Sequence, residues 1–160
     1  KHLGETLLRA GRHKGSAYIE IFQNCVIFND DAFKNVTDRM TRPEHSLNLE
    51  HGKPLLFGRE MKKGIRLTDG LHPEVVTVGE KGVTEKDILV HNEKYPDSSY
   101  AFMLSRMGLP EFPVPIGVFR AVEKPTYEDL VNRQIETQTD KMGEGKIHDL
   151  LYGGETWEVR

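Results

Sequence analysis

The stretch Ser16-Ala-Tyr-Ile-Glu-Ile-Phe-Gln-Asn-Cys-Val-Ile-Phe-Asn29 decides the fold class. Over residues 16–22, Ala17, Ile19 and Ile21 alternate with Tyr18, Glu20 and Phe22, so both faces of an extended chain are largely apolar. That pattern predicts a strand covered by helices on both sides, as in a parallel sheet. Upstream, Leu3, Leu7 and Ala10 share one helical face, with Glu5, Arg9 and Arg12 off it, and Gly15 is placed to stop the helix. Helix, short turn and buried strand make one half of a βαβ unit, which predicts an α/β architecture. The sequence opens on Lys1 in what reads as helix interior, with no cap and no secretory pattern, so the expectation is a piece of a longer protein.

Composition bounds what such a chain can be. Its 160 residues allow one domain of ordinary size, and the 37% apolar share supports a real but modest core. The 22 bases and 25 acids leave a net charge of −3, which argues against a nucleic-acid binder held by phosphate contacts. The longest apolar run, residues 100–104, is far short of the roughly twenty residues of a membrane span. The single cysteine excludes an internal disulfide framework and any zinc site made of several thiolates. Charge is uneven. Residues 1–42 carry seven bases and five acids, residues 43–122 ten and eleven, and residues 123–160 five and nine.

The polar stretch 37–52 is the best candidate boundary. Beyond it, residues 53–57, 64–68, 75–78 and 88–91 are short strand candidates separated by Gly, Pro and charged residues. Residues 98–107 predict a helix in which Tyr100, Met103, Leu104 and Met107 form the buried stripe and Asp97 or Ser98 the cap. Residues 110–115 are expected to be extended and residues 116–122 to form a strand. Pro125-Thr126 opens the clearest helix. Thr126 and Asp129 have capping-box spacing, and Tyr127, Leu130, Val131 and Ile135 are its expected buried stripe. A short helical turn over 147–152 ends at Gly153-Gly154, and the tail carries Trp157 and Val159.

Cys25 follows the carboxyl end of the 16–22 strand, where ligands sit in open α/β sheets. A thiolate there can be a nucleophile or a soft-metal ligand, or a buried thiol can simply fill space. The nucleophile reading, a cysteine hydrolase, needs a histidine base near the thiol. His13 is close in sequence but belongs at the opposite end of the strand. A third reading is a non-catalytic domain that binds a partner subunit.

The Gly15 turn, the run Tyr18-Ile-Glu-Ile-Phe-Gln-Asn-Cys25 and the following Phe28-Asn-Asp30 resemble the β subunit of 2-oxoacid:ferredoxin oxidoreductases, in the branch that handles 2-oxoglutarate. The helix Lys1 to Gly15 is similar to the one before that strand in the family. Weaker likeness runs over residues 86–122, through Asp87-Ile-Leu-Val-His91 and the helix reaching Ser105, and the tail Gly154-Glu-Thr-Trp157 is similar to the end of the same branch. The resemblance implies the C-terminal part of a thiamine-diphosphate-binding fold. Residues 1–42 would be the end of the thiamine-diphosphate-binding domain, and residues 43–160 an irregular C-terminal extension of short strands and helices. It implies a cytoplasmic enzyme that oxidatively decarboxylates a 2-oxoacid to an acyl-coenzyme A and passes electrons to ferredoxin. Its cofactors would be thiamine diphosphate, Mg2+ and one 4Fe-4S cluster, and its partners an α subunit and ferredoxin. In the family four cysteines hold the cluster, three early in the chain and one late, and Cys25 matches the late one.

The departures are equally specific. The family's Gly-Asp-Gly-Asp motif, which holds the diphosphate and magnesium, does not occur, and Asp69-Gly70 is its nearest echo. The Cys-x-x-Cys start of the cluster site is also missing. The isolated chain is therefore expected to hold neither cofactor, and no residue in it is expected to be catalytic. The seven histidines, including His45 and His51 in a polar loop, show no metal-binding spacing and read as solvated or structural. Arg59, Lys62, Lys63 and Arg66 form a basic cluster that reads as a solvated hairpin tip, with a docking patch for an acidic ferredoxin as the sharper alternative. Met103 and Met107 read as core packing. Trp157 either anchors the tail on a partner subunit or packs on its own domain.

Overall fold

A computed structural model describes residues 2–68, 72–154, 157 and 159. It mixes helices and strands, in line with the expected α/β class, in two compact units: residues 1–13 with 17–122, and residues 14–16 with 123–160.

The first unit begins with α1 (His2–Arg12), followed by two single-turn helices, α2 (Lys34–Thr37) and α3 (Arg42–His45). Gly15 lies beyond the end of α1 with φ 103°, the left-handed geometry expected of a helix stop. Strand β1 (Ser46–Leu49) pairs in parallel with β5 (Val114–Gly117), Ser46 opposite Val114 and Leu49 opposite Gly117. Between them in sequence, β2 (Leu56–Phe57), β3 (Lys63–Leu67) and β4 (Pro73–Thr77) form an antiparallel sheet. The helix α4 (Ser99–Ser105) then precedes β5.

A closed ring of three backbone hydrogen bonds ties the middle of this unit together. The Leu55 amide donates to the Leu89 carbonyl at 2.9 Å, the Leu89 amide to Ile65 at 2.8 Å, and the Ile65 amide to Leu55 at 3.0 Å. Around the ring pack Leu47, Leu49, Leu55, Phe57, Ile65, Val83, Ile88, Leu104 and Met107, all buried. The α4 stripe matches expectation. Leu104 and Met107 are in the core, Tyr100 and Met103 flank it, and Asp97 accepts from the Ser99 amide at 2.7 Å.

Several expectations are overturned. Residues 16–22 form no strand: the segment has no regular secondary structure, with Tyr18 89% exposed and Ile21 and Phe22 also on the surface. Alternation records which faces suit burial, but a strand also needs a neighbour for its amides and carbonyls, and none of the described strands supplies one. The strand expected over 116–122 begins earlier and ends at Gly117, whose φ of 128° takes the chain out of extended geometry. Residues 88–91 contribute a single bridge, Pro54 with Val90, rather than a strand. The partner of β5, inside the polar stretch 37–52, was not anticipated at all.

The second unit holds α5 (Tyr127–Met142) and α6 (Ile147–Leu151). The capping box forms as expected: the Asp129 amide donates to Thr126 Oγ1 at 3.2 Å and the Thr126 amide to Asp129 Oδ2 at 3.0 Å. The expected buried stripe does not. Tyr127, Leu130 and Ile135 are exposed, Val131 is half-buried, and no residue of either helix is buried. A cap is made by neighbours in sequence, whereas burial requires a second surface. Trp157 is also exposed; residues 155 and 156 of the tail motif lie outside the described residues.

Gly117 gives the fold its sharpest test. A Cβ there would meet the Leu49 carbonyl oxygen at 2.8 Å, on a backbone that already has positive φ. Gly117→Ala is expected to destabilise the chain by about 1–3 kcal/mol in urea unfolding. Gly108→Ala, where nothing lies within 4 Å, should be near neutral.

Candidate functional site

The Cys25 segment closes on itself as a tight loop. The Phe22 and Phe33 rings stack at 4.9 Å, Asn24 Nδ2 donates to Asp30 Oδ1 at 2.9 Å, and the Asn29 amide donates to the Cys25 carbonyl at 2.9 Å. Cys25 is exposed at the neck of the loop, and Val26, Ile27 and Phe28 form an apolar tip in solvent. The backbone amides of Phe28 and Ile27, and more weakly Asn29, point at the thiol and hold its pKa below the ordinary value. Amides gathered near one sulfur lower the cost of a negative charge on it, which moves the thiol's pKa down. Among the described residues no histidine hydrogen-bonds to Cys25: His45 faces the Asn35 carbonyl and His91 faces Tyr100 and Val118.

The loop thus fits one thiolate ligand to iron, a soft donor with N–H groups directed at its sulfur. It does not by itself make a cluster site. Among the described residues no group of three or more His, Cys, Asp or Glu converges to hold a metal. Nothing in the described residues fits a diphosphate–magnesium site, and Asp69-Gly70 lies outside them.

A second polar centre went unnoticed in the sequence. His91 is 1% exposed. Its Nε2 faces the Val118 carbonyl at 2.8 Å, which can only accept, so Nε2 carries the proton. Nδ1 then accepts from the Tyr100 hydroxyl at 3.0 Å. Burial pushes the His91 pKa down, against the smaller upward pull of Val118 and Glu93. Two residues on, Glu93 is buried and pairs with the guanidinium of Arg9 from α1. That hydrogen bond holds its carboxyl below the usual range, outweighing desolvation. Nothing in local spacing marks either contact, because the partners come from distant segments.

The basic cluster resolves toward the solvated hairpin. Lys62 pairs with Glu60 at 2.7 Å, Lys63 with Glu44 at 2.9 Å, and Arg66 with Glu74. The Arg59 guanidinium donates to the Met40 carbonyl at 2.7 Å. Each of the four cations thus has a local partner, although Lys62 and Lys63 remain largely exposed. His45, with Nδ1 3.3 Å from the Asn35 carbonyl, is half-buried and joins no metal-like grouping among the described residues.

Fold and site together define a mixed helix-and-strand chain with a single exposed cysteine in a tight loop. Over 98% of its length the chain is 32% identical to 2-oxoglutarate oxidoreductase subunit KorB of Mycobacterium tuberculosis. The match covers 42% of that protein, its C-terminal part. It bears out the resemblance carried by the helix Lys1 to Gly15 and the run Tyr18 to Cys25, and extends it along nearly the whole chain. No family model matches the chain, and no solved structure matches it. No helix among the described residues is long and apolar enough to cross a membrane.

The two buried acid–base groups set separate pH windows. The folded pKa of His91 lies below its ordinary 6.5, so the unfolded chain binds the proton first. Stability is full above about pH 6.5 and falls as pH drops toward the folded value, at up to about 1.4 kcal/mol per pH unit. Glu93, also lowered, adds a further loss below about its ordinary 4.5. Urea unfolding from pH 8 to 4 should show both. His91→Gln, which keeps one donor and one acceptor without titrating, should remove the upper step only.

Proposed function

We propose that this chain is the C-terminal portion of the β subunit of a 2-oxoacid oxidoreductase acting on 2-oxoglutarate, with coenzyme A and ferredoxin as co-substrate and electron acceptor. In this reading residues 1–42 end a thiamine-diphosphate-binding domain and residues 43–160 are its C-terminal extension. An α subunit completes the enzyme, and its place is the cytoplasm. The observation that carries the reading is the similarity to KorB over 98% of the chain. The amide-lined Cys25 loop supports it independently of that likeness.

Thiamine diphosphate with Mg2+ supplies the decarboxylation chemistry and a 4Fe-4S cluster the one-electron path, both held mainly by residues outside this chain. The part assigned to this chain is narrower. Cys25 provides one thiolate of the cluster, and the Ile27, Phe28 and Asn29 amides lower the charge density on its sulfur. The stacked Phe22 and Phe33 and the Asn24–Asp30 bond fix the loop so that the thiolate is presented without reorganisation.

The test uses the full-length β subunit co-produced with its α subunit. Cys25→Ser should lose most cluster iron and the visible sulfur-to-iron absorbance, with 2-oxoglutarate-dependent ferredoxin reduction falling in step. An intact stoichiometric cluster in Cys25→Ser would remove Cys25 from the ligand set. Faster turnover of pyruvate than of 2-oxoglutarate by the wild-type enzyme would overturn the substrate.

A further inference from the structure

Helix α1 is bound to the first unit in an unusual way. It has no buried residue, and Leu3, Leu7 and Leu8 are about half exposed, so packing does little to hold it. Among the described residues, the side-chain hydrogen bond leading out of α1 runs from Arg9 to Glu93, 84 residues on.

The two ends of that bond differ. The Arg9 side chain is 50% exposed and sits on an unpacked helix, whereas that of Glu93 is 6% exposed. Glu93 sits on a rigid base. The His91 amide donates to the Lys53 carbonyl at 2.9 Å, the Gly52 amide to the His91 carbonyl at 2.8 Å, and the Ala121 amide to the Glu93 carbonyl at 2.7 Å. The His91 ring is fixed between Tyr100 and Val118. A buried carboxylate on such a base is costly unless a cation reaches it, and Arg9 is the cation that does. From α1 the chain runs through the Gly15 turn and the irregular segment 16–22 into the Cys25 loop.

We propose that Glu93 is a positioning residue: by capturing Arg9 it latches α1, and with it the Cys25 segment, onto the C-terminal extension. This rests on the reading of Cys25 as a cluster ligand for its functional consequence, though not for the latch itself. The extension would then act on the electron-transfer centre through one ion pair, without touching it.

The experiment uses the full-length two-subunit enzyme with Arg9→Met, Glu93→Gln and the charge swap Arg9→Glu/Glu93→Arg. Hydrogen exchange of residues 2–12 reads the latch, and iron content with the cluster's midpoint potential reads its consequence. Arg9→Met should speed exchange over residues 2–12 about tenfold or more, leaving the Leu55–Ile65–Leu89 core unchanged. It should also shift the potential or lower the iron content, and the swap should restore both readouts most of the way. Unchanged exchange in Arg9→Met, or a swap that rescues nothing, would overturn the latch. Faster exchange with an unaltered cluster would overturn the positioning role. Arg9 is half exposed, so its variant remains informative even if Glu93→Gln fails to fold. A cluster that survives Cys25→Ser would instead defeat the ligand assignment, and the exchange result would stand apart from it.

Discussion

Three backbone hydrogen bonds, closing a ring among Leu55, Ile65 and Leu89, are the constraint on which the first unit depends. Each residue both donates to one neighbour and accepts from the other, so none of the three segments can shift without breaking two bonds. Buried amides and carbonyls that lose their partners cost more than the bonds gain, which makes the ring hard to open once apolar side chains cover it. Leu47 and Leu49 from the parallel pair and Leu104 and Met107 from α4 and its end provide that cover. The antiparallel sheet, the parallel pair and α4 therefore converge on one core despite strands of only two to five residues.

The same ring explains where polar groups can be buried. His91 lies two residues beyond Leu89 and is clamped by Gly52 and Lys53, next to Pro54 and Leu55 at the ring. Its tautomer is fixed by a carbonyl on one side and a hydroxyl on the other, so the ring nitrogens are satisfied without charge. Glu93 keeps its charge because Arg9 meets it. The chain thus buries a neutral histidine and a charged carboxylate two residues apart, and their opposite solutions follow from the partners each one finds.

The Cys25 loop is built differently. Its geometry comes from residues 22–33 alone: a ring stack, one side-chain bond and a short backbone bridge. The thiol's lowered pKa has an equally local cause in three following amides. The match to the C-terminal part of KorB places such a loop in a chain that spans 42% of its relative's length.

What could be read from residues follows this division between local and distant. The helix α4, the Thr126–Asp129 capping box and the Gly15 stop were legible because each is decided within a few neighbouring residues; the expected place of Cys25 at a strand's end was not, since residues 16–22 form no strand. The sequence also showed that residues 16–22 suit burial on both faces, a property of side chains that holds whether or not a covering surface is present. Only the tertiary structure decided that this segment is unpaired here, that Ser46–Leu49 pairs with Val114–Gly117, and that α5 buries nothing. It alone brought Arg9 to Glu93 and Tyr100 and Val118 to His91. Pairing and burial depend on which distant segment arrives opposite, and no local period or spacing carries that information.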